Sequence, residues 1–240
     1  MTFARAVPNI SYLCLKMLLR IKAITMEKLT EVEARVVGAL IEKQLTTPEY
    51  YPLTLNSLVA ACNQKSNREP VVSFDEETVS KALEILRDKN IVYVFYGSTS
   101  RVPKYKHILP DVLELEPSET AVLCVLMLRG AQTLGELRER THRLYEFHGL
   151  GDVQETLDAL LRREEPLIIK LERLPGQKEA RFAHLLCGEI DVSAYAKENA
   201  VSNKHPENER VTKLEQELES LRNEFDAFRQ TFEDFKKQFD

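Results

Sequence analysis

The sequence predicts an α+β protein, mainly α, with two tandem modules of three helices and a β-hairpin followed by a C-terminal heptad helix. Three observations carry that prediction. A helical apolar pattern gives way to a two-stranded pattern between residues 73 and 109, the same succession returns between residues 115 and 186, and an unbroken three-four apolar spacing runs from Val211 to Phe239.

Composition permits this and excludes several alternatives. With 43% apolar and 30% charged residues, the 240-residue chain can bury a core. Length alone allows one large domain or two small ones, and the internal repeat favours two. The net charge of −5 argues against a generic nucleic-acid coat. Cys14, Cys62, Cys124 and Cys187 are far apart and lack metal-ligand spacing. They predict a reduced, cytoplasmic protein with buried or inert thiols. His107, His142, His148, His184 and His205 are equally scattered and receive no catalytic role. No Gly-rich phosphate loop, nucleophile elbow, metal cluster or catalytic carboxylate pair can be placed. The expectation is no enzyme, no cofactor and no metal.

Residues 1–28 form a leader. Ile10-Ser-Tyr-Leu-Cys-Leu-Lys-Met-Leu-Leu is apolar but broken by Lys16. It is too short to span a bilayer and lacks the order of a signal peptide, so no membrane partner is expected. Two explanations stand side by side: an over-extended start with translation from Met26, or a disordered or weakly amphipathic leader.

Module 1 covers residues 29–110. Thr30-Glu-Val-Glu reads as a capping box opening a helix with Val32, Val36, Leu40 and Ile41 on its apolar positions. A Pro-punctuated connection, Thr46 to Pro52, leads to a short second helix marked by Leu55, Leu58, Val59 and Cys62. After the polar loop Asn63–Pro70, Ser73-Phe-Asp-Glu reads as a second capping box. It starts a third helix with Val79, Ala82, Leu83 and Leu86 on one face. Ile91 to Tyr96 and Lys104 to Leu109 then read as two strands joined by the turn Gly97-Ser-Thr-Ser.

Module 2, residues 111–187, repeats the order. Leu29, Glu33, Val36 and Leu40 align with Leu115, Glu119, Val122 and Leu126; Thr54-Leu-Asn-Ser-Leu is echoed by Thr133-Leu-Gly-Glu-Leu; and Val79, Leu83 and Leu86 are echoed by Val153, Leu157 and Leu160. The hairpin returns as Leu167 to Leu174, then Pro175-Gly-Gln-Lys, then Ala180 to Leu186. Modules this small gain stability by packing on each other. Residues 188–209 read as a linker.

In residues 210–240 the seam is Val211, Leu214, Leu218, Leu221, Phe225, Phe228, Phe232, Phe235 and Phe239, a heptad a/d pattern. In a parallel pair, Arg210–Glu215, Glu217–Arg222 and Glu224–Arg229 would all attract. A parallel homodimer is the preferred expectation. The five phenylalanines also suit more strands, or a helix folded back on its own chain.

Three helices followed by a hairpin is the arrangement of a winged helix, a helix-turn-helix variant that lays its third helix in the major groove. On that arrangement the DNA-binding candidates are Lys65 and Arg68 on the loop, Lys81 and Arg87 on the third helix, and Arg101, Lys104 and Lys106 on the hairpin. Charge tempers the expectation. Thr30 to Pro110 carries ten Lys/Arg and ten Asp/Glu, and Glu116 to Ile190 carries ten against thirteen. The outward face of the third helix groups Glu77, Ser80, Lys81, Glu84, Arg87 and Asp88, with acids in excess, so recognition is expected from the loop and hairpin, with Arg68 and Arg101 foremost. The third helix of module 2, with Asp152, Glu155 and Asp158, suits packing or a partner better than DNA.

Leu29 to Lys43, Thr46 to Leu58 and above all Ala61-Cys-Asn-Gln-Lys-Ser-Asn-Arg-Glu-Pro-Val resemble the bacterial YceH family over roughly Leu29 to Leu186. The resemblance implies a tandem winged-helix fold and a bacterial cytoplasmic setting, and carries over no biochemical activity. The Asn63–Pro70 loop has two readings: contacts to a passing DNA backbone, or polar side chains tying the loop to its own backbone. Duplex DNA is the first candidate partner, and a protein docked on the modules is the alternative.

Overall fold

In the computed structural model, which describes residues 27–96, 102–173, 177–191 and Arg222, Thr30 opens the chain's first described helix as its sequence predicts. The Thr30 hydroxyl accepts from the Glu33 N–H and the Glu33 carboxylate from the Thr30 N–H, both at 3.2 Å. Helix α1 runs Glu31–Thr46, a 3₁₀ turn covers Pro48–Tyr50, and strand β1 is the two-residue Leu53–Thr54. Helix α2 is Leu55–Cys62, capped by the Thr54 hydroxyl, and α3 is Glu76–Asp88. Strands β2, Val92–Phe95, and β3, Lys104–His107, form the hairpin; β1 adds to the outer side of β3, so the sheet order is β1-β3-β2. A short α4, Leu109–Leu113, leads to α5 at Pro117–Arg129, α6 at Leu134–Thr141 and α7 at Leu150–Leu161. Strands β4, Ile168–Leu171, and β5, Arg181–His184, close the second hairpin. Among the described residues no helix is long and apolar enough to cross a membrane. The heptad seam and nearly all of the leader lie outside the described residues.

One expected cap is corrected. Helix α3 is capped by Asp75, whose carboxylate accepts the Thr78 N–H at 2.8 Å, and not by Ser73 with Glu76. The upstream residues are held elsewhere: the Asn63 amide donates to the Phe74 carbonyl at 2.7 Å and accepts from the Phe74 N–H at 2.8 Å. That leaves Asp75 to bring a full charge to the positive end of the helix. Hydrogen bonds from Thr78 hold its carboxyl below the ordinary value.

The repeat extends to details that its apolar pattern does not announce. Thr133 caps α6 as Thr54 caps α2. The residue before each cap reaches the second hairpin strand, with Leu53 opposite Tyr105 and Gln132 opposite Phe182. The third residues of α1 and α5 bury their carboxylates against a cation just past the third helix: Glu33 with Lys89 at 2.8 Å, and Glu119 with Arg163 at 3.6 Å. Each second strand ends in a histidine, His107 and His184, with ring nitrogen buried and unpartnered.

The two copies join through their first helices. Nine consecutive residues of α1, Glu33 to Ile41, and ten of α5, Glu119 to Leu128, are buried. Each helix therefore has its own module on one side and the other module on the other. A β-carbon on Gly38 would lie 3.0 Å from Leu128 Cδ2 and 3.2 Å from Met127 Cβ, and the Cys124 thiol donates to the Gly38 carbonyl at 3.4 Å. The Glu69 N–H donates to Leu128 O at 2.9 Å, and the Leu29 N–H donates to Leu186 O at 2.8 Å, tying the first residue of module 1 to the end of module 2. The described residues through Glu189 accordingly belong to one compact unit.

Two stability predictions follow from this packing. Gly38→Leu should lose about 1–3 kcal/mol through overpacking. Gly38→Ala should stay within about 1 kcal/mol of the parent, because improved helix propensity offsets the crowding. Denaturant unfolding measures both. The second concerns pH. Burial lowers His107 and His184 from 6.5 to about 4, so between these values the unfolded chain binds more protons than the folded one. Stability should be fully present above about pH 6.5 and fall as pH drops towards 4, by at most roughly 1.4 kcal/mol per pH unit for each histidine. His107→Phe should flatten that slope in unfolding curves at pH 7 and pH 5.

Candidate nucleic-acid interface

The alternation of β2 and β3 sorts their side chains onto two faces. Val92 and His107, opposite each other, are buried. Tyr93 faces Lys106 across the ladder and Phe95 faces Lys104. Tyr93 and Phe95 are 48% and 49% exposed, and Tyr96 beyond them is 66% exposed. The outward face of the first hairpin therefore interleaves aromatic rings with lysines, a surface suited to phosphates and exposed bases.

Lys104 also lines an open groove of about 440 Å³ with Lys43, Tyr50, Thr54 and Ser57. Lys43 was not anticipated from the sequence, because only the fold of β1 against β3 brings the end of α1 beside the hairpin. The aromatic–basic pairing was legible in principle: Tyr93 and Phe95 share one parity and Lys104 and Lys106 another, and only the register between the strands was missing.

The remaining candidates are dispersed. Lys81, exposed on α3, pairs with Glu77 at 2.5 Å. Arg87 is exposed on the same helix and Lys65 on the loop. Arg101 lies outside the described residues. The outward face of α3 also carries Ile85, 44% exposed, among its acids and bases.

Arg68 requires a correction, since it is not a surface cation. Its side chain is fully buried and fully used: the guanidinium donates to Glu42 at 2.5 and 3.1 Å, to Ala61 O at 2.8 and 3.2 Å, and to Asn67 O at 2.9 Å. Beside it Arg35 donates to Cys62 O at 3.3 Å and Pro70 O at 2.8 Å. Two guanidinium groups thus satisfy the carbonyls at the end of α2, where the helix dipole is negative. Asn67, at φ +60°, accepts from Arg129 of the second module. Of the two readings of the Asn63–Pro70 loop, the bonds of Asn63 and Arg68 to main-chain groups support the tie to the protein's own backbone, while the Asn67 side chain joins Arg129 of the second module.

Among the described residues no group of three His, Cys, Asp or Glu side chains could hold a metal ion. Burial pushes the thiols of Cys62 and Cys187 up, to about 12 and about 11, and Cys124 higher still, so they are poor nucleophiles.

The second copy differs at each equivalent position. Tyr93, Phe95 and Lys106 are replaced by Ile169, Leu171 and Ala183, with Leu171 and Ala183 buried. Arg181 stands where Lys104 does, but its guanidinium is bound to Glu136 at 2.9 Å and to Ala131 O at 2.8 Å.

Fold and surface together define a two-module α+β protein with one basic, aromatic face. Residues 29–177 match the family described as "Protein of unknown function, DUF480", and the chain belongs to that family. A UPF0502 protein of Opitutus terrae is 51% identical over 195 residues, covering 81% of this chain and 83% of that relative. A UPF0502 protein of Geobacter sulfurreducens is 50% identical over 197 residues, covering 80% and 90%. One from Vibrio campbellii is 47% identical over 199 residues, again covering 80% and 90%.

The network around Arg68 makes a direct prediction. Arg68→Ala should cost about 3–5 kcal/mol, because it strands the Glu42 carboxylate and the Ala61 carbonyl. Lys65→Ala should change stability by less than about 0.5 kcal/mol. Denaturant midpoints of the two variants measure the difference.

Proposed function

We propose that this chain is a non-catalytic, regulator-like DNA-binding protein whose two modules are winged helices, the first contacting duplex DNA. The observation that carries this reading is the outward face of the first hairpin, where Lys104 and Lys106 alternate with exposed Tyr93 and Phe95. The order of three helices and a hairpin, and the resemblance to the YceH family, support it. In such modules the third helix enters the major groove and the hairpin lies along the backbone. Here α3 offers Glu77, Glu84 and Asp88 against Lys81 and Arg87, so the hairpin supplies most of the phosphate neutralisation. The second module stabilises the first and leaves the DNA to it. The heptad seam from Val211 to Phe239 dimerises the chain in the cytoplasm and presents two first modules to paired half-sites.

A second reading, a protein-interaction adaptor, is favoured by Ile85, Tyr93, Phe95 and Tyr96, apolar groups left exposed on module 1. The two readings separate in one experiment. Fluorescence anisotropy with duplex DNA should show affinity falling as salt rises, and Lys104→Ala with Lys106→Ala should reduce the slope of log K against log salt by about 2. Absence of duplex binding at low salt, or an unchanged slope, would overturn the DNA reading.

A further inference from the structure

The two copies solve one electrostatic problem differently. In module 2 the third residue of α6 is Glu136, and its carboxylate accepts from Arg181 on the second hairpin strand. In module 1 the third residue of α2 is Ser57, its hydroxyl 3.0 Å from that of Thr54, and the cation on the second strand is Lys104. The correspondence is fixed from both sides: Thr54 and Thr133 cap the two helices, and Lys104 and Arg181 each stand three residues before the equivalent histidine. Where the second copy holds its own carboxylate, the first has a shorter side chain and open space of about 440 Å³. Lys104 has no ion pair among the described residues, and Lys43 enters the same groove with only a 3.7 Å contact to Glu42, itself engaged by Arg68.

We infer that this groove, formed by Lys43, Thr54, Ser57 and Lys104, is an oxyanion site that takes a backbone phosphate of the bound DNA in the place where Glu136 sits in module 2. The inference rests on the DNA-binding reading and names the point at which the backbone is gripped. Two lysines supply the charge, and of the mutually bonded Thr54 and Ser57 hydroxyls the one that does not donate to the other can donate to a phosphate oxygen. Glu49 on the rim is exposed and opposes them in part, leaving the lysines in excess. Tyr50, 71% exposed at the mouth, can cover a neighbouring sugar or base. Because Lys104 belongs to both the groove and the hairpin face, a strand seated in the groove runs onto Phe95, its cross-strand neighbour.

The test copies the second module into the first. In the full chain, Ser57→Glu should place a carboxylate within reach of Lys104 and fill the site from within. Inorganic phosphate, added against sodium chloride at matched ionic strength, should shift the backbone amide resonances of Thr54, Ser57 and Lys104 in the parent and leave them unmoved in Ser57→Glu. Duplex affinity should fall about tenfold and the salt slope by about 1. Lys43→Ala, at the partly buried end of α1 where its side chain has only a 3.7 Å contact to Glu42, should weaken the phosphate-induced shifts and lower the slope likewise, and it carries the test if Ser57→Glu fails to fold. Unchanged phosphate shifts and unchanged duplex binding in both variants would overturn the groove while leaving the DNA reading intact. Phosphate shifts lost in the variants, in a chain that binds no duplex at low salt, would keep the oxyanion site and overturn its DNA occupant.

Discussion

The close approach of α1 to α5 at Gly38 is the constraint on which the rest of the unit depends. Leu128 and Met127 occupy the space a side chain would need, and the Cys124 thiol reaches the Gly38 carbonyl. With both helices buried on every side, neither module has a complete core alone. Small modules bury too little surface to be stable by themselves, and here each first helix serves two cores. The loop bond from Glu69 to Leu128 O and the Leu29–Leu186 bond reinforce the same junction from its two ends.

Charge is buried around this junction in paired form. Glu33 with Lys89, Glu119 with Arg163, and Arg68 with Glu42 each combine an ion pair with backbone hydrogen bonds. Such pairs are poor contributors to net stability compared with apolar packing, but breaking one strands a charge. They therefore specify how the helix ends meet, which apolar contacts alone would leave loose. The recurrence of the Glu33 and Glu119 pairs shows that the device belongs to the module, whereas the Arg35–Arg68–Glu42 cluster is particular to the long loop of the first copy.

Function is best sought where the copies differ, because what they share is committed to the fold. Thr54 and Thr133, Val79 and Val153, and His107 and His184 do the same structural work twice. Lys106, Tyr93, Phe95 and Ser57 have no equivalents that remain both exposed and chemically similar, and the equivalent of Lys104, Arg181, has its charge taken by Glu136. Losing Lys106 and gaining Glu136 beside Arg181 leaves that face of β4 and β5 without a free cation among the described residues, while the first hairpin keeps Lys104 and Lys106 on it. One copy is then free to hold the other in place.

The chain's own pattern of residues determined most of the secondary structure, because period and capping are local properties. Thr30 with Glu33, the apolar stripe Val79, Ala82, Leu83 and Leu86, and the β-branched run after Asn90 specify their elements within a few residues. The repeat was legible for the same reason. An apolar run with no polar face, Ala121 to Leu128, also marks a helix enclosed on all sides. Only the tertiary structure decided which cations face solvent. Arg68 reads as a surface charge until Glu42, 26 residues away, and the end of α2 close over it. Lys43 reads as an ordinary helix end until β1 pairs with β3 and sets Lys104 beside it. A side chain's charge is local, but its burial and its partners depend on contacts between distant segments, and periodicity within one element carries no record of them.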